Sequence, residues 1–440
     1  MGKFWIRSGV IALAVAGCQV ASGTAPPVPE ATHTDAPPPP VSVARPSRAC
    51  FHRPGRLHPL KPPTYRDGWR STLSGLLAGT NISVSLALGD RLLFDHQGAV
   101  ARIPASNQKL LLSMALLDAF PVSSRIPTSA AARIDGPSIA GDLFVYGLGD
   151  PTFGDAAYRA TLGLTGSTID RLARQVAALG FEKVEGRVVG LRGALLGDWD
   201  AVGWRTKVAR RYIARPTALS VNGNRASATA PERQAAAALT ARLEELGVDV
   251  AGAPGRSTQP FPRRASSLGG VTSPPLIELI GIMARDSSNF IAEVLSKRLG
   301  AKCFGPPGTI ASGARAITRW ARMNGASIVA NDASGLSYDN QISTRAMVGL
   351  MTQVRKRWWG GQLMRALPEP GQGTLAHRLE GLTMHAKTGS LFDGTSTLSG
   401  WVWLEREQHW AAFSIMSSLG DAGPALEDEI VRLVARTAAL

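Results

Sequence analysis

Three cysteines, seven histidines and a 6% aromatic share are few for a chain of 440 residues. Three thiols cannot build a disulfide-dense scaffold or a four-cysteine zinc site. None of the seven histidines falls at a metal-ligand spacing, and no G-x-S-x-G elbow marks a Ser-His-Asp hydrolase. Zinc-finger spacings, RNP-like runs and aromatic-interleaved basic runs are also missing, which argues against nucleic acid as a partner. No apolar run is long enough to span a bilayer. Acidic residues are scarce, 33 against 48 lysines and arginines, so the formal charge is +15 and the pI about 10.4. Such a balance suits anionic lipid or an anionic wall polymer, but the basic residues are dispersed and a solvated basic surface is the simpler reading.

What is present is a globular composition, 44% hydrophobic with a mean hydropathy of +0.01, long enough for two domains with separate cores. Residues 1–18 read as a signal peptide. Lys3 and Arg7 give a positive start, Val10 to Ala16 a short apolar run, and small residues close it. The ending Val15-Ala16-Gly17-Cys18 resembles a lipoprotein box, in which Cys18 is lipidated and anchors the chain to a membrane surface. An ordinary secretory signal cut a few residues later is the alternative. Residues 19–63 include Pro26, Pro27, Pro29 and the run Pro37 to Pro40, lack apolar periodicity, and read as a Pro-rich tether. Cysteines in an exported chain are more often paired than free, which predicts a Cys50–Cys303 disulfide fastening the tether's end to the folded body.

Order is expected from about Tyr65. Ile82 to Leu88 and Arg91 to Asp95 read as a hairpin across Gly89-Asp90. Between 131 and 267 the pattern changes to short α/β units, read as an inserted α/β domain within a catalytic domain of residues 64–130 and 268–440. Helical patterns return at 275–284 and 289–299. Strands follow near 384–391, 398–404 and 410–417, and a closing helix carries Leu426, Ile430, Leu433 and Val434 on its apolar face. Consecutive strands between helices predict an α/β protein with an antiparallel sheet sandwiched by helices.

Chemistry concentrates in three places. From Ile103 to Met114 the chain reads as the start of a buried helix, with Leu110, Met114 and Leu117 at helical spacing. Ser106 and Lys109 project from one side of it. An S-x-x-K pair gives a serine nucleophile an amine base, and the helix N-terminus favours negative charge developing beside Ser106. A capping serine followed by a solvated lysine gives the same letters, so context must decide. Lys387-Thr388-Gly389 lies in a strand-like stretch, where lysine and threonine can bind a carboxylate and glycine lets a substrate backbone approach the edge. An S-x-N element has two candidates, Ser220-Val221-Asn222 in the inserted block and Ser287-Ser288-Asn289 between two helical segments. The second can point both side chains into a cleft, although Asn289 also stands where a helix N-cap would.

In the order Ser106, Ser287, Lys387, these elements resemble the signature of penicillin-binding proteins and class A β-lactamases. The separation between the first two (287 minus 106, or 181 residues) leaves room for an inserted domain. The chain resembles the D-alanyl-D-alanine carboxypeptidase/D-Ala-D-Ala endopeptidase family of class C low-molecular-mass penicillin-binding proteins over about residues 75–420. Six segments in family order carry this, beginning with Pro104-Ala105-Ser106-Asn107-Gln108-Lys109, Gly147-Leu148-Gly149-Asp150-Pro151-Thr152, and Asp286-Ser287-Ser288-Asn289 with Ala292-Glu293. The others are Asp332-Ala333-Ser334-Gly335-Leu336-Ser337, Gly371-Gln372-Gly373-Thr374-Leu375-Ala376 and Ala386-Lys387-Thr388-Gly389-Ser390-Leu391.

The resemblance implies a β-lactamase/penicillin-binding-protein-like transpeptidase domain that hydrolyses peptidoglycan peptides through an acyl-enzyme and is blocked by β-lactams, with no cofactor and no metal. It implies that Ser106 attacks, that Lys109 takes its proton with a pKa depressed by burial near Lys387, and that Ser287 and Asn289 relay protons and orient the peptide. Lys387 and Thr388 would hold the terminal carboxylate, Gly389 would give access to the strand, and Ser106 and Ser390 would supply the oxyanion hole. Ser288 departs from the family's usual aspartate, and Tyr338 stands where many relatives carry arginine. The inserted block is short, as if a small third domain were missing, and Glu293 reads as a helix-surface residue. A β-lactamase or D-esterase on the same scaffold, or a silent wall-binding lipoprotein, are the alternatives.

Overall fold

A five-stranded antiparallel sheet sets the frame of the computed structural model, with strands in the order Met384–Ser390, Thr395–Leu404, His409–Ser418, Ile82–Leu88 and Arg91–His96. The structure describes residues 50–51, 60–61, 68–225, 229–259, 262 and 264–438, all within the unit Pro37–Leu440. The signal segment, Cys18 and most of the stretch read as a tether lie outside the described residues.

Side-chain alternation gives this sheet two unlike faces. Ile82, Val84, Leu86, Leu398, Val402, Leu404, Phe413 and Ile415 pack against the helices Gly68–Leu77 and Ala422–Thr437, through Leu73, Leu77, Ile430 and Val434. The opposite face carries small hydroxyls instead, with Ser83, Ser85, Thr397, Ser399 and Ser414 all buried. These let another layer come close and hydrogen-bond to the sheet. Asn107 Nδ2 donates to Ser399 Oγ at 2.8 Å, Thr397 Oγ1 donates to the Pro104 carbonyl at 3.0 Å, and Ser399 and Ser414 share a bond of 2.8 Å.

The layer seated there is the helix Gln108–Ala119. The sequence reads as the start of a buried helix, and all twelve residues are buried. The helices Leu276–Arg285, Asn289–Phe304 and Ile310–Met323 surround its far side, and a helix enclosed on all sides needs no amphipathic pattern.

A second sheet comes from residues 127–272. Its strands run in the order Ser266–Thr272, Pro127–Ala132, Leu143–Gly147, Lys183–Leu191, Ser138–Ile139 and Ile134–Asp135, with Asp249–Ser257 also paired to Lys183–Leu191. Helices Thr168–Ala177 and Pro231–Glu245 fill its core through Ile169, Leu172, Val176, Leu239 and Leu243. Pro127 pairs with Thr272, so the two ends of the block meet beside the first sheet's helices. The compositional changes at 131 and 267 fall inside these strands, because Pro127–Ala132 is too poor in apolar bulk to read as one.

The stretch expected as a Pro-rich tether to residue 63 meets the folded body at two points. Cys50 and Phe51 are buried in the core around Gln108–Ala119. Lys61 N donates to the Asp90 carbonyl at 3.0 Å, and the Lys61 carbonyl accepts from Leu92 N at 2.9 Å. The proline count hid this apolar and backbone pairing. Cys50 and Cys303 form a disulfide with Cα atoms 4.9 Å apart, across a separation of 253 residues. Alkylation of non-reduced protein followed by mass spectrometry should leave both thiols unmodified, and reduction should lower unfolding stability by roughly 2–4 kcal/mol. A modified thiol at either position before reduction would contradict the pairing.

Candidate active site

The chain enters the site through a 3₁₀ turn, Ala105–Asn107, that runs into the helix Gln108–Ala119. Ala105 has a φ of +45°, a conformation that costs a non-glycine residue about 1–3 kcal/mol and persists only where the surroundings enforce it. Two glycines do so. A Cβ on Gly335 would lie 1.9 Å from the Ala105 carbonyl oxygen, and one on Gly389 would lie 2.7 Å from Ser106 N. Gly389 therefore makes room first for the serine turn rather than for a substrate backbone.

Lys109 follows one turn later and is only 1% exposed. Its Nζ donates to Ser106 Oγ at 2.9 Å, to Asn289 Oδ1 at 2.8 Å and to the Ser334 carbonyl. Burial lowers its pKa from 10.5 to about 7, against the pull of the Asp332 and Glu293 carboxylates. An amine so tuned can accept a hydroxyl proton at neutral pH.

Of the two S-x-N candidates, the structure brings Asn289 to this lysine. Ser220 Oγ instead donates to the Asp150 carbonyl, and Asn222 pairs with Asp155 inside the second block. Asn289 is not the helix cap. Ser288 takes that part, its Oγ accepting from Ile291 N at 3.3 Å, which gives a serine at that position a structural reason. Ser287 has a φ of +50°, and its hydroxyl meets neither Lys109 nor Ser106 within hydrogen-bond range.

The third element lies on the edge strand Met384–Ser390. Lys387 is fully buried, its Nζ donating to the Thr388 carbonyl at 2.7 Å, and Thr388 Oγ1 donates to Thr374 Oγ1 at 2.7 Å. Burial, then repulsion from Lys109, pushes the Lys387 pKa well below its usual value. Ser390 is exposed at the strand's end. Among the described residues, no group of three or more His, Cys, Asp or Glu side chains is placed to hold a metal ion.

Sequence reasoning misplaced one group behind Lys109. Glu293, expected on a helix surface, is 0% exposed. Its Oε1 accepts from Ala333 N at 2.9 Å and Ser334 N at 2.7 Å, fixing the two peptide units that lead to the Ser334 carbonyl facing Lys109. Burial, then the Asp332 carboxylate, raises its pKa to about 7. Asp332 ties the same loop together, accepting from Gly335 N, Ser337 N, Asn340 Nδ2 and the Trp204 indole. Thr374, quoted above without a role, is the partner of Thr388. Helical periodicity could not place Glu293, because eleven residues of Asn289–Phe304 are buried. Glu293→Ala should cost roughly 1–3 kcal/mol for each amide left unpaired, read as a lower urea midpoint, with Glu293→Gln milder because it keeps an oxygen acceptor. Equal stability of Glu293→Ala and wild type would refute the anchoring role.

Comparison with known proteins bears on the family and the fold. The profile of the D-Ala-D-Ala carboxypeptidase 3 (S13) family matches residues 72–234 and 225–437. A D-alanyl-D-alanine carboxypeptidase of an Actinomadura species is 26% identical over 450 residues, covering 80% of this chain and 79% of its own. A carboxypeptidase of Mycobacterium tuberculosis is 29% identical over 386 residues, covering 80% and 77%. In structure, penicillin binding protein 4 of Haemophilus influenzae superposes with a TM-score of 0.71 at 20% identity, over 84% of this chain and all of its own. A penicillin G-acylated predatory endopeptidase of Bdellovibrio bacteriovorus reaches 0.52 at 16% identity, over 82% and 94%. The antiparallel sheet between helices is thus the penicillin-binding-protein fold, and the chain belongs to the D-Ala-D-Ala carboxypeptidase 3 (S13) family.

Proposed function

We propose that this protein is a serine-type D-alanyl-D-alanine carboxypeptidase, able also to act as a D,D-endopeptidase, on the stem peptides of peptidoglycan. One observation carries the reading: a buried amine with a pKa of about 7 lies 2.9 Å from a serine hydroxyl. Ser106 Oγ attacks the carbonyl carbon of the penultimate D-alanine while Lys109 Nζ takes its proton. The backbone amides of Ser106 and Ser390 hold the oxyanion, worth roughly 3 kcal/mol per donor. The tetrahedral species collapses to an ester on Ser106, and the departing amine receives the proton from Lys109. Water then hydrolyses the ester.

Asn289 holds Lys109 and orients the acyl side, and Ser287, out of direct hydrogen-bond reach of Lys109 and Ser106, relays protons through a bridging water. Thr388, backed by Thr374, meets the terminal carboxylate. That carboxylate, arriving over the buried Lys387, favours its charged form and so forms the ion pair as the substrate binds. A β-lactam acylates the same hydroxyl, a reading supported by the penicillin-acylated structural relative. The site of action is the cell envelope outside the cytoplasmic membrane, reached through the N-terminal signal, with Cys18 as a lipid anchor.

Fluorescent penicillin should label the wild-type chain covalently and fail to label Ser106→Ala. Lys109→Met should be acylated about 10²–10⁴-fold more slowly. Defined muropeptides should lose a terminal D-alanine, and cross-linked dimers should be cut. Absence of both labelling and D-alanine release from folded protein would refute the assignment.

A further inference from the structure

Three polar side chains, Asn289, Glu293 and Lys297, lie on successive turns along one face of the helix Asn289–Phe304. Asn289 touches Lys109, and Glu293 grips the loop beside it. The chemistry above leaves the third without a part. Lys297 is 0% exposed. Its Nζ donates to the Leu196 carbonyl at 2.9 Å and to the Asp198 and Pro216 carbonyls at 2.8 Å each. It is also ion-paired with the Asp198 carboxylate at 2.7 Å. A lysine has three N–H donors, so this ammonium is fully used. Burying it without such partners would be strongly unfavourable.

Those carbonyls belong to the two feet of one segment. Residues 196–216 join neither sheet, and the helix Thr206–Tyr212 is their regular structure. Trp204, Ala209 and Ile213 press the segment onto the helix layer. Apolar contact has no direction, so the bonds to Lys297 set where the segment lies. Between its feet the segment reaches the reaction centre at two points. The Tyr212 carbonyl accepts from Asn289 Nδ2 at 3.1 Å, which turns the other end of that amide, Oδ1, toward Lys109 Nζ at 2.8 Å. An amide flipped end for end would present N–H groups to a donor. The Trp204 indole donates to Asp332 Oδ2 at 2.7 Å, and the Val202 carbonyl accepts from Ser337 Oγ at 2.8 Å. The Gly203 carbonyl accepts from Tyr338 N at 3.1 Å. These bonds hold the loop whose Ser334 carbonyl also accepts from Lys109. Two of the three acceptors around Lys109 are therefore braced by a segment whose feet meet on Lys297.

We propose that Lys297 is a positioning residue for the reaction: its ammonium fastens both feet of the 196–216 segment, and the segment fixes the Asn289 amide and the Asp332 loop that aim Lys109 at Ser106. The inference rests on the reading of Ser106 and Lys109 as nucleophile and base, and adds a residue that touches neither them nor the substrate. Asp198 ties the same foot to a further helix, its Oδ2 accepting from Ile310 N at 2.9 Å at the start of Ile310–Met323.

The test compares acylation by fluorescent penicillin in the purified full chain, with rates counted per labelled site. Lys297→Met keeps the side chain's bulk but removes its charge and N–H donors. It should slow acylation at saturating penicillin by about tenfold or more, because a small misplacement of reacting groups is enough for such a loss. The kcat for D-alanine release from a pentapeptide ending in D-alanyl-D-alanine should fall with it, while KM stays within about threefold. Lys297→Gln keeps two N–H donors and should recover part of the rate; it stands in where Lys297→Met yields no labelled protein. Combined with Asn289→Ala, the Lys297→Met loss should be well below the product of the two single losses, since one residue acts through the other. A wild-type rate per labelled site in Lys297→Met, or in Lys297→Gln where that stands in, overturns the positioning role even if the urea midpoint drops. A combined loss equal to the product of the single losses overturns it as well, and both results leave the peptidase reading intact. Folded wild-type protein that neither labels nor releases D-alanine overturns both.

Discussion

The desolvation of the Lys109 ammonium governs this structure. Removing it from water lowers its pKa from 10.5 to about 7, which corresponds to roughly 5 kcal/mol in favour of the free amine. The protein does not leave the group unsupported. Ser106 Oγ, Asn289 Oδ1 and the Ser334 carbonyl all accept from it, and two carboxylates nearby restrain the fall. With less burial the amine would stay protonated and could not act as a base. Without the acceptors, a buried amine would lack orientation toward the serine.

Each large feature of the fold serves that placement. The five-stranded sheet turns bulky aliphatic residues to one side and hydroxyls to the other, and the hydroxyl side binds the turn that carries Ser106. Gly389 and Gly335 let the edge strand and the Asp332 loop approach the turn closely enough to hold Ala105 in its costly conformation. Glu293, deep in the helix Asn289–Phe304, grips the loop from below. The second block then brings the Tyr212 carbonyl to the outer side of Asn289. Ser106, Asn289 and Ser334, far apart in sequence, therefore converge on one amine.

How much of this could be read from the sequence follows from what local pattern can encode. Strands at 384–391, 398–404 and 410–417 match the observed ones closely, because one apolar face and one hydroxyl face leave a period of two. Ser106 and Lys109 were expected on one side of a helix start from their spacing, and the structure places Nζ 2.9 Å from Oγ. The stretch with Leu110, Met114 and Leu117 was expected to be a buried helix and is buried on all sides, whereas burial around most of Asn289–Phe304 disguised Glu293 as a surface residue. Phe51 was lost in a proline-rich context although its contacts are apolar, whereas the Cys50–Cys303 pairing beside it was expected and is found. The arginines at 210, 211, 215 and 225 belong to the dispersed basic surface expected from composition. Only the fold shows that they share a cavity with Asn289.

The most direct test of the central claim is a proton titration of one residue. Full-length protein labelled with ¹³C at lysine Cε, with the Lys109 resonance assigned by its loss in Lys109→Arg, reports the charge on that amine as a function of pH. A midpoint close to 7 is the predicted result. A midpoint near the ordinary value of 10.5 would mean that the amine is charged at neutral pH, and the account of Lys109 as the base for Ser106 would be contradicted.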